Sequence, residues 1–167
     1  MSRKFYTLDV FTKTALAGNP LAVVLESEGL GDHAMQMIAK EFNLSETVFL
    51  FPPKDPSNRA SLRIFTPATE LPFAGHPTVG TAVLIALLDG HTSLSFGLEE
   101  KVGLVACTAS RESDSAGEAI FTLPRLPERI ADAAPKSMIA EALGVPVDEI
   151  GFDEHHPIVA SAGVGFN

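Results

Sequence analysis

The sequence is short of cysteine and of positive charge, and it has no long hydrophobic run. Cys107 is the single cysteine among 167 residues, so an internal disulfide is excluded and a cytoplasmic location is the natural expectation. The 12 Lys and Arg are outnumbered by 21 Asp and Glu, and the net charge of −9 argues against nucleic acid or an anionic membrane as a partner. No stretch reaches the roughly 18 apolar residues of a membrane span. The N-terminus lacks the apolar core of a secretory signal, so we expect the chain to begin where it is written.

The usual sequence patterns of cofactor and metal sites are also missing. No glycine-rich loop has the spacing of a phosphate-binding or dinucleotide-binding motif. His155 and His156 are adjacent, so as neighbours on a strand they would point to opposite faces, and no second cluster supports them as metal ligands. Cys107 lies in an apolar strand without a neighbouring base, where a thiol is usually inert. The sequence therefore predicts neither a cofactor nor a metal.

The hydrophobic pattern predicts an α+β fold. Two of the predicted strands, 4–12 and 60–66, alternate, and 21–26 is almost continuously apolar. The segment 78–88 is apolar around nearly its whole circumference, so other elements must surround it. Too many strands follow one another without helices for an alternating parallel sheet. We expect a curved, mostly antiparallel, barrel-like sheet wrapped around this central helix. The predicted strands are 4–12, 21–26, 46–51, 60–66, 92–96, 102–108 and 118–123, with a further amphipathic helix over 33–42.

A proline-rich segment without clear periodicity, 123–129, marks a predicted domain boundary. We expect a complete N-terminal domain over 1–125. The remainder, 126–167, has a short helix over 136–143 and strands over 157–162 and 164–166 divided by Gly163, and it stops at Asn167 in the middle of a pattern. We therefore expect 126–167 to be the beginning of a second, truncated domain.

The stretch 65–80, FTPATELPFAGHPTVG, joins a strand to the apolar helix and contains the main candidate site. Pro77 suits a first helical turn, and free N–H groups at Thr78, Val79 and Gly80 would form a positive helix end for a carboxylate. His76 lies beside that end, and Gly75 would let the backbone approach a ligand. The alternative is an ordinary strand–turn–helix connection.

Glu46 is the candidate acid–base. It opens an apolar strand after Ser45, and a carboxyl group beside Val48 and Phe49 should have a raised pKa. The alternative is a solvent-facing glutamate at the start of a strand. Glu70 lies between prolines, where bonding to backbone N–H groups is expected rather than chemistry, and Asn19 fits either a turn or a ligand contact.

Two motifs together carry a family resemblance. NLSET at 43–47 and FTPATELPFAGHPTVG at 65–80 closely resemble the PhzF-like family of phenazine-biosynthesis isomerases, and DVF at 9–11 with GNP at 18–20 resembles the same family's opening. The resemblance implies a diaminopimelate epimerase-like fold of two similar domains with the active site between them. It implies that Glu46 moves a proton between carbons of a small carboxylate-bearing substrate, without metal or cofactor. The residues then predicted to contact substrate are Asn19, Ser45, Gly75, His76, Pro77 and Thr78.

The sequence departs from the family in two ways. Epimerases of this fold use a pair of cysteines, whereas this chain has Gly75-His76 where the first would fall, so two-thiol racemisation is not expected. Family members are nearly twice as long, and their D-P-A-T-G-S-type motif is absent here. We therefore expect the isolated chain to be inactive unless a further segment or a second chain completes the cleft. The resemblance also implies a homodimer. A non-catalytic anion-binding or scaffold protein and a non-functional fragment remain the alternatives.

Overall fold

The computed structural model describes residues 2–161 and 165–166. The chain divides into two compact units, 1–124 and 125–167. No helix among the described residues has both the length and the apolar character needed to cross a membrane. The prediction that the second unit is the start of a larger, truncated domain stays a prediction.

The first unit is built on one eight-stranded sheet, which is mostly antiparallel. The strands follow the order β1-β2-β3-β4-β6-β7-β8, and β5 pairs with β4. Only the pairs β2–β3 and β4–β6 are parallel among the described strands. The strands are β1 (Phe5–Val10), β2 (Asn19–Val24), β3 (Glu46–Phe51), β4 (Ala60–Phe65), β5 (Glu70–Leu71), β6 (Ser93–Glu100), β7 (Gly103–Arg111) and β8 (Gly117–Thr122).

The sheet curls around helix α2 (Gly75–Asp89), as the apolar character of this segment predicts. Alternation along the strands supplies two hydrophobic layers, since successive side chains point to opposite faces. Val48 of β3 packs in the larger core with α2, whereas the next residue, Phe49, packs in a smaller core with Met35 of helix α1 (Asp32–Phe42). The predicted architecture of a curved sheet around a central helix is therefore confirmed.

One glycine brings α2 unusually close to the sheet. A Cβ atom on Gly80 would lie 2.6 Å from Leu21 Cδ2 and 2.8 Å from Val10 Cγ2, which is closer than atoms can pack. The missing side chain therefore allows the first turns of α2 to lie directly on β1 and β2. This contact places the N-terminal end of the helix beside the first residues of β2.

Near the site, one element boundary follows the sequence prediction and another differs from it. Helix α2 begins at Gly75, which places Pro77 in its first turn as predicted, and the chain enters the helix directly from the extended residue Ala74. Strand β6 continues to Glu100, where the sequence predicted a connection after Phe96. The pairing of β6 with β7 runs in unbroken register from Ser93 to Glu100, so the two glutamates belong to the strand.

The described residues of the second unit form a three-stranded antiparallel sheet and one α-helix. Its elements are β9 (Glu128–Asp132), α3 (Lys136–Leu143), a 3-10 turn (Val147–Glu149), β10 (Ile158–Ser161) and β11 (Gly165–Phe166). The strand order is β11-β10-β9. The predicted strands 157–162 and 164–166 correspond to β10 and β11, although 162–164 lie outside the described residues. The sequence missed β9, whose residues are all exposed and carry no alternating pattern.

Candidate active site

Three polar side chains from three elements meet at the N-terminal end of α2. Asn19 is the first residue of β2, Glu46 is the first residue of β3, and His76 is the second residue of α2. Because β2 and β3 are parallel, with Leu21 opposite Glu46, both strands begin at the same edge of the sheet. The close packing at Gly80, one turn beyond His76, holds the start of α2 against that edge.

The imidazole ring of His76 lies between the other two side chains. Its Nε2 atom is 3.1 Å from Oε2 of Glu46, and its Nδ1 atom is 3.1 Å from Nδ2 of Asn19. Neither of the two facing atoms, Nε2 and Oε2, has a hydrogen-bond partner among the described residues, so this close approach lacks hydrogen-bond geometry. The side chain of His76 is 8% exposed and that of Glu46 is 16% exposed. The carboxyl group is therefore largely, though not completely, removed from solvent.

Burial shifts the proton affinities of the two groups towards each other. It raises the pKa of the Glu46 carboxyl, the direction that its apolar strand predicts. Burial also lowers the pKa of His76, and the hydrogen bond to Pro20 opposes this in part. In water the pKa of a glutamate carboxyl is about two units below that of an imidazole, so these opposite shifts bring the two pKa values closer together. The pair is thus suited to holding and releasing a proton.

The free amide groups of the helix end are not those that the sequence predicted. The N–H of Thr78 donates to the carbonyl of Ala74, and Val79 and Gly80 lie beyond the first turn. With Ala74 as the N-cap, Thr78 is the first residue whose N–H bonds within the helix, so the unbonded N–H groups are those of Gly75 and His76, because Pro77 has none. The helix end therefore presents the amides of Gly75 and His76.

The surroundings of Gly75 leave room beside these amides. Among the described residues, a Cβ atom at Gly75 would meet the ring of Phe121 alone, at an ordinary contact distance of 3.9 Å. The backbone at Gly75 has a negative φ angle, so the glycine is not required by a left-handed conformation. Apart from that ring, the described residues leave the Cα of Gly75 open on this side, as a site for close approach to a ligand needs.

The other predicted contacts occupy different environments. Ser45 is exposed and directly precedes Glu46, and Pro77 is buried in the first turn of α2. Thr78 is fully buried, and its hydroxyl lies 2.8 Å from both the carbonyl of Ala74 and Oε1 of Glu100. The substrate-contacting roles of these residues stay predictions, and the free amide predicted at Thr78 is wrong. Within the described residues, no group of three or more His, Cys, Asp or Glu is arranged to hold a metal ion.

Sequence reasoning missed the second carboxyl group at this helix end, Glu100. This residue is 9% exposed, and burial raises its pKa to about 7 despite the hydrogen bond with Thr78. A signal was present, because Phe96, Leu98 and Glu100 occupy alternate positions of one strand and therefore face the same side. Assigning Glu99 and Glu100 to a connection concealed that alternation.

Glu70 has a structural partner of a different kind from the expected one. Its two carboxylate oxygens accept hydrogen bonds from Nε and an Nη atom of Arg63, at 2.7 and 2.9 Å. Arg63 also pairs with Asp32, and Lys101 lies 3.4 Å from Glu70. This network fixes the turn that leads into α2, and it lowers the pKa of Glu70, chiefly through the hydrogen bond from Arg63.

Comparison with known proteins agrees with this architecture. Residues 8–165 match the family described as phenazine biosynthesis-like protein. An uncharacterized isomerase of Mesorhizobium japonicum is 51% identical over 99% of this chain and 55% of its own length. The trans-2,3-dihydro-3-hydroxyanthranilate isomerase of Pseudomonas chlororaphis is 40% identical over 72% of this chain and 42% of its own. The solved structure of a predicted epimerase from Pseudomonas aeruginosa, 35% identical, superposes with a TM-score of 0.83 over 98% of this chain and 57% of that one.

The family match covers almost the whole chain, although the chain spans only about half the length of these relatives. Its fold is the diaminopimelate epimerase-like fold of the epimerases that it resembles. The chain therefore belongs to the phenazine biosynthesis-like, or PhzC-PhzF, family.

Proposed function

We propose that this chain provides the proton-transferring half of a cofactor-independent isomerase or epimerase, with Glu46 as the general acid–base. The observation that carries the proposal is the contact between Glu46 and His76 beside the start of α2. The names of the relatives, which are isomerases and a predicted epimerase, support the reaction class.

Asn19 determines which tautomer of His76 faces Glu46. The Nδ2 amide of Asn19 can only donate, so Nδ1 of the ring accepts this hydrogen bond and Nε2 carries the proton. Nε2 and Oε2 of Glu46 are 3.1 Å apart, and neither atom has a hydrogen-bond partner among the described residues. A small rotation of either side chain would let the ring donate to the Glu46 carboxylate, so His76 can stabilise the charged form that Glu46 has before it takes a proton from one carbon and after it returns that proton to another.

The helix end supplies the second element of the proposed chemistry. Removing a proton next to a carboxylate leaves additional negative charge on the substrate. The N–H groups of Gly75 and His76, at the positive end of a 15-residue helix, can bind that carboxylate beside the base. We therefore propose a small carboxylate-bearing substrate, with the side chains of Asn19 and Ser45 at the edge of the same site.

The remaining wall of the site must come from elsewhere. Since the relatives are about twice as long, we propose that a second copy of this chain or a further segment completes the cleft. Size-exclusion chromatography with light scattering tests the first possibility. A stable species of twice 17.7 kDa supports completion between two copies, whereas a monomer or a polydisperse aggregate contradicts it.

Deuterium incorporation tests the reaction itself. The chain is incubated in D₂O with trans-2,3-dihydro-3-hydroxyanthranilate, the substrate named for one relative, and carbon-bound deuterium is followed by mass spectrometry. We expect Glu46→Gln to slow incorporation by about 10²- to 10⁴-fold, since the amide cannot accept the proton. Glu70→Gln, which changes a carboxyl of similar exposure in the same region, is the matched control and should keep most of the rate.

Binding measured on the same samples separates the enzyme from the alternatives. Chemical-shift changes at the Gly75 and His76 amides report on whether the carboxylate is bound. Binding without exchange in the unaltered chain would favour a non-catalytic anion-binding protein. Exchange that is equal in the unaltered chain and in Glu46→Gln would rule out Glu46 as the acid–base.

A further inference from the structure

A buried hydrogen bond between Glu100 and Thr78 lies close to the same end of α2. Glu100 is the last residue of β6 and faces the core, and its Oε1 atom lies 2.8 Å from the hydroxyl of Thr78. Its second oxygen, Oε2, is buried without a hydrogen-bond partner among the described residues. We call Glu100, Thr78 and the carbonyl of Ala74 the helix anchor.

The hydrogen bonds of the helix anchor depend on whether Glu100 is protonated. The Thr78 hydroxyl is 2.8 Å from the Ala74 carbonyl and 2.8 Å from Glu100, yet it has only one proton to donate. The carbonyl can only accept. Both contacts can therefore be hydrogen bonds only if Glu100 is protonated and donates to Thr78. If Glu100 is ionised, it can only accept, so the Thr78 hydroxyl must donate to the Glu100 carboxylate. The hydrogen bond from that hydroxyl to the Ala74 carbonyl is then broken.

The Ala74 carbonyl matters because of its position in the chain. It also accepts from the Thr78 N–H at 3.2 Å, and it directly precedes Gly75 and His76. The orientation of this peptide sets where the first turn of α2 begins. A change in its hydrogen bonding therefore acts on the residue that contacts Glu46.

The groups around Glu100 favour its neutral form. Burial raises the pKa of its carboxyl to about 7. The group on α2 that contacts it is the Thr78 hydroxyl, which carries no charge. From β7, the titratable group that faces it is Cys107, whose pKa is raised to about 12, so the thiol is also neutral. The neighbouring Lys101 is exposed, and its ammonium group pairs with Glu70. Thus none of these contacts provides Glu100 with a cation.

We propose that Glu100 is a positioning residue. As a neutral acid it donates to the Thr78 hydroxyl, so that this hydroxyl can donate to the Ala74 carbonyl and the first turn of α2 keeps His76 beside Glu46. Ionisation of Glu100 breaks the hydrogen bond between Thr78 and Ala74. The proposal extends the proposed function, because it concerns the same pair. The side-chain hydrogen bond of Glu100 is with Thr78, and Glu100 therefore acts on the pair through Thr78 and the first turn of the helix.

The test is an NMR titration of the full chain labelled with ¹³C and ¹⁵N, between pH 5 and 9 and without substrate. We expect the Glu100 carboxyl carbon to titrate near pH 7. The Ala74 carbonyl carbon and the His76 ring nitrogens should show a transition with the same midpoint. A Glu100 carboxyl that titrates near the ordinary glutamate pKa of 4.5 would overturn the proposal.

Two variants assign the transition. Glu100→Gln keeps a donor for Thr78 without a charge, so the Ala74 and His76 signals should keep their low-pH positions and lose the transition near pH 7. If that variant does not fold, Thr78→Val removes the connecting hydroxyl and should uncouple Ala74 and His76 from the Glu100 titration. A transition at Ala74 that persists unchanged in either folded variant would contradict the proposal.

This measurement remains informative if the proposed function is wrong. It uses no substrate, so the absence of turnover does not affect it. Glu46→Gln should slow deuterium exchange as described above and leave the Glu100 titration in place. Conversely, if the chain is active but the Ala74 carbonyl signal does not change as Glu100 titrates, the proposed function is supported and only the positioning role is overturned.

Discussion

Glu46 and Glu70 are two carboxyl groups of similar burial whose pKa values shift in opposite directions. The side chain of Glu46 is 16% exposed and that of Glu70 is 20% exposed. Burial raises the pKa of Glu46, whereas the hydrogen bond from Arg63 lowers that of Glu70. Exposure alone therefore does not decide which carboxyl can carry a proton.

The difference lies in the partners. Glu70 is bound by a permanent cation through two parallel hydrogen bonds, an arrangement that holds a carboxylate in its charged form. Glu46 faces a histidine ring whose own charged form is disfavoured by burial. One site is thus built for a fixed ion pair that stabilises a turn, and the other for a proton that can move.

Glu100 is a third carboxyl group, and none of the contacts described above gives it a cation. Its ionisation should have the largest effect on the free energy of unfolding. Its pKa of about 7 in the folded protein exceeds the ordinary value of 4.5. The folded state therefore retains a proton that the unfolded state has released, so the contribution of Glu100 to the free energy of unfolding is highest below pH 4.5 and is lost as the pH rises through about 7. A shift of this size corresponds to a loss of about 3 kcal/mol.

Urea unfolding at pH 5, 6, 7 and 8 measures that loss. Other groups contribute as well: the raised pKa of Glu46 acts in the same direction, and the lowered pKa of His76 acts in the opposite one. Glu100→Gln isolates the Glu100 part, because it should remove most of the decline between pH 5 and 7. A variant that declines as steeply as the unaltered chain would show that Glu100 titrates normally.

The sequence predicted the curved sheet and the central helix because both depend on hydrophobic pattern. It also indicated Glu46 and His76, since these residues lie in motifs with a recognisable family resemblance. It did not predict that Asn19 would orient the histidine, because that contact joins residues 57 positions apart and depends on the parallel pairing of β2 with β3. Glu100 was missed because the end of β6 is fixed by its pairing with β7, a long-range feature that local pattern does not report.

Removing the cation should make Glu70 resemble Glu46. Arg63→Met takes away both hydrogen bonds of the pair, so the pKa of Glu70 should rise. The largely buried carboxylate would be left with Lys101 at 3.4 Å, and we expect a loss of about 2 kcal/mol in the free energy of unfolding near pH 7. Chemical denaturation measures the loss, and the NMR titration of the Glu70 carboxyl measures the pKa.

The same variant should change the acid side of the stability profile. In the unaltered chain the lowered pKa of Glu70 adds stability that is present above its unfolded value and is lost as the pH falls through the folded value. Arg63→Met should remove that acid-dependent loss. Asp32→Asn is the matched control, because Asp32 is the exposed partner of the same arginine and its loss should have a much smaller effect.

Gly80→Ala offers the smallest and most selective way to separate the two carboxyl sites. Alanine favours a helix by about 1 kcal/mol over glycine, but the new methyl group would lie 2.6 Å from the fully buried Leu21. Forcing extra volume into a packed core costs about 1–3 kcal/mol, so we expect a net loss of about 1 kcal/mol. Because the displaced helix carries His76, the titrations of His76 and Glu46 should shift, while the Glu70 titration should stay unchanged. Equal changes at Glu46 and Glu70 would mean that the methyl group disturbs the whole sheet, and that close packing at Gly80 does not specifically position the proton-transferring pair.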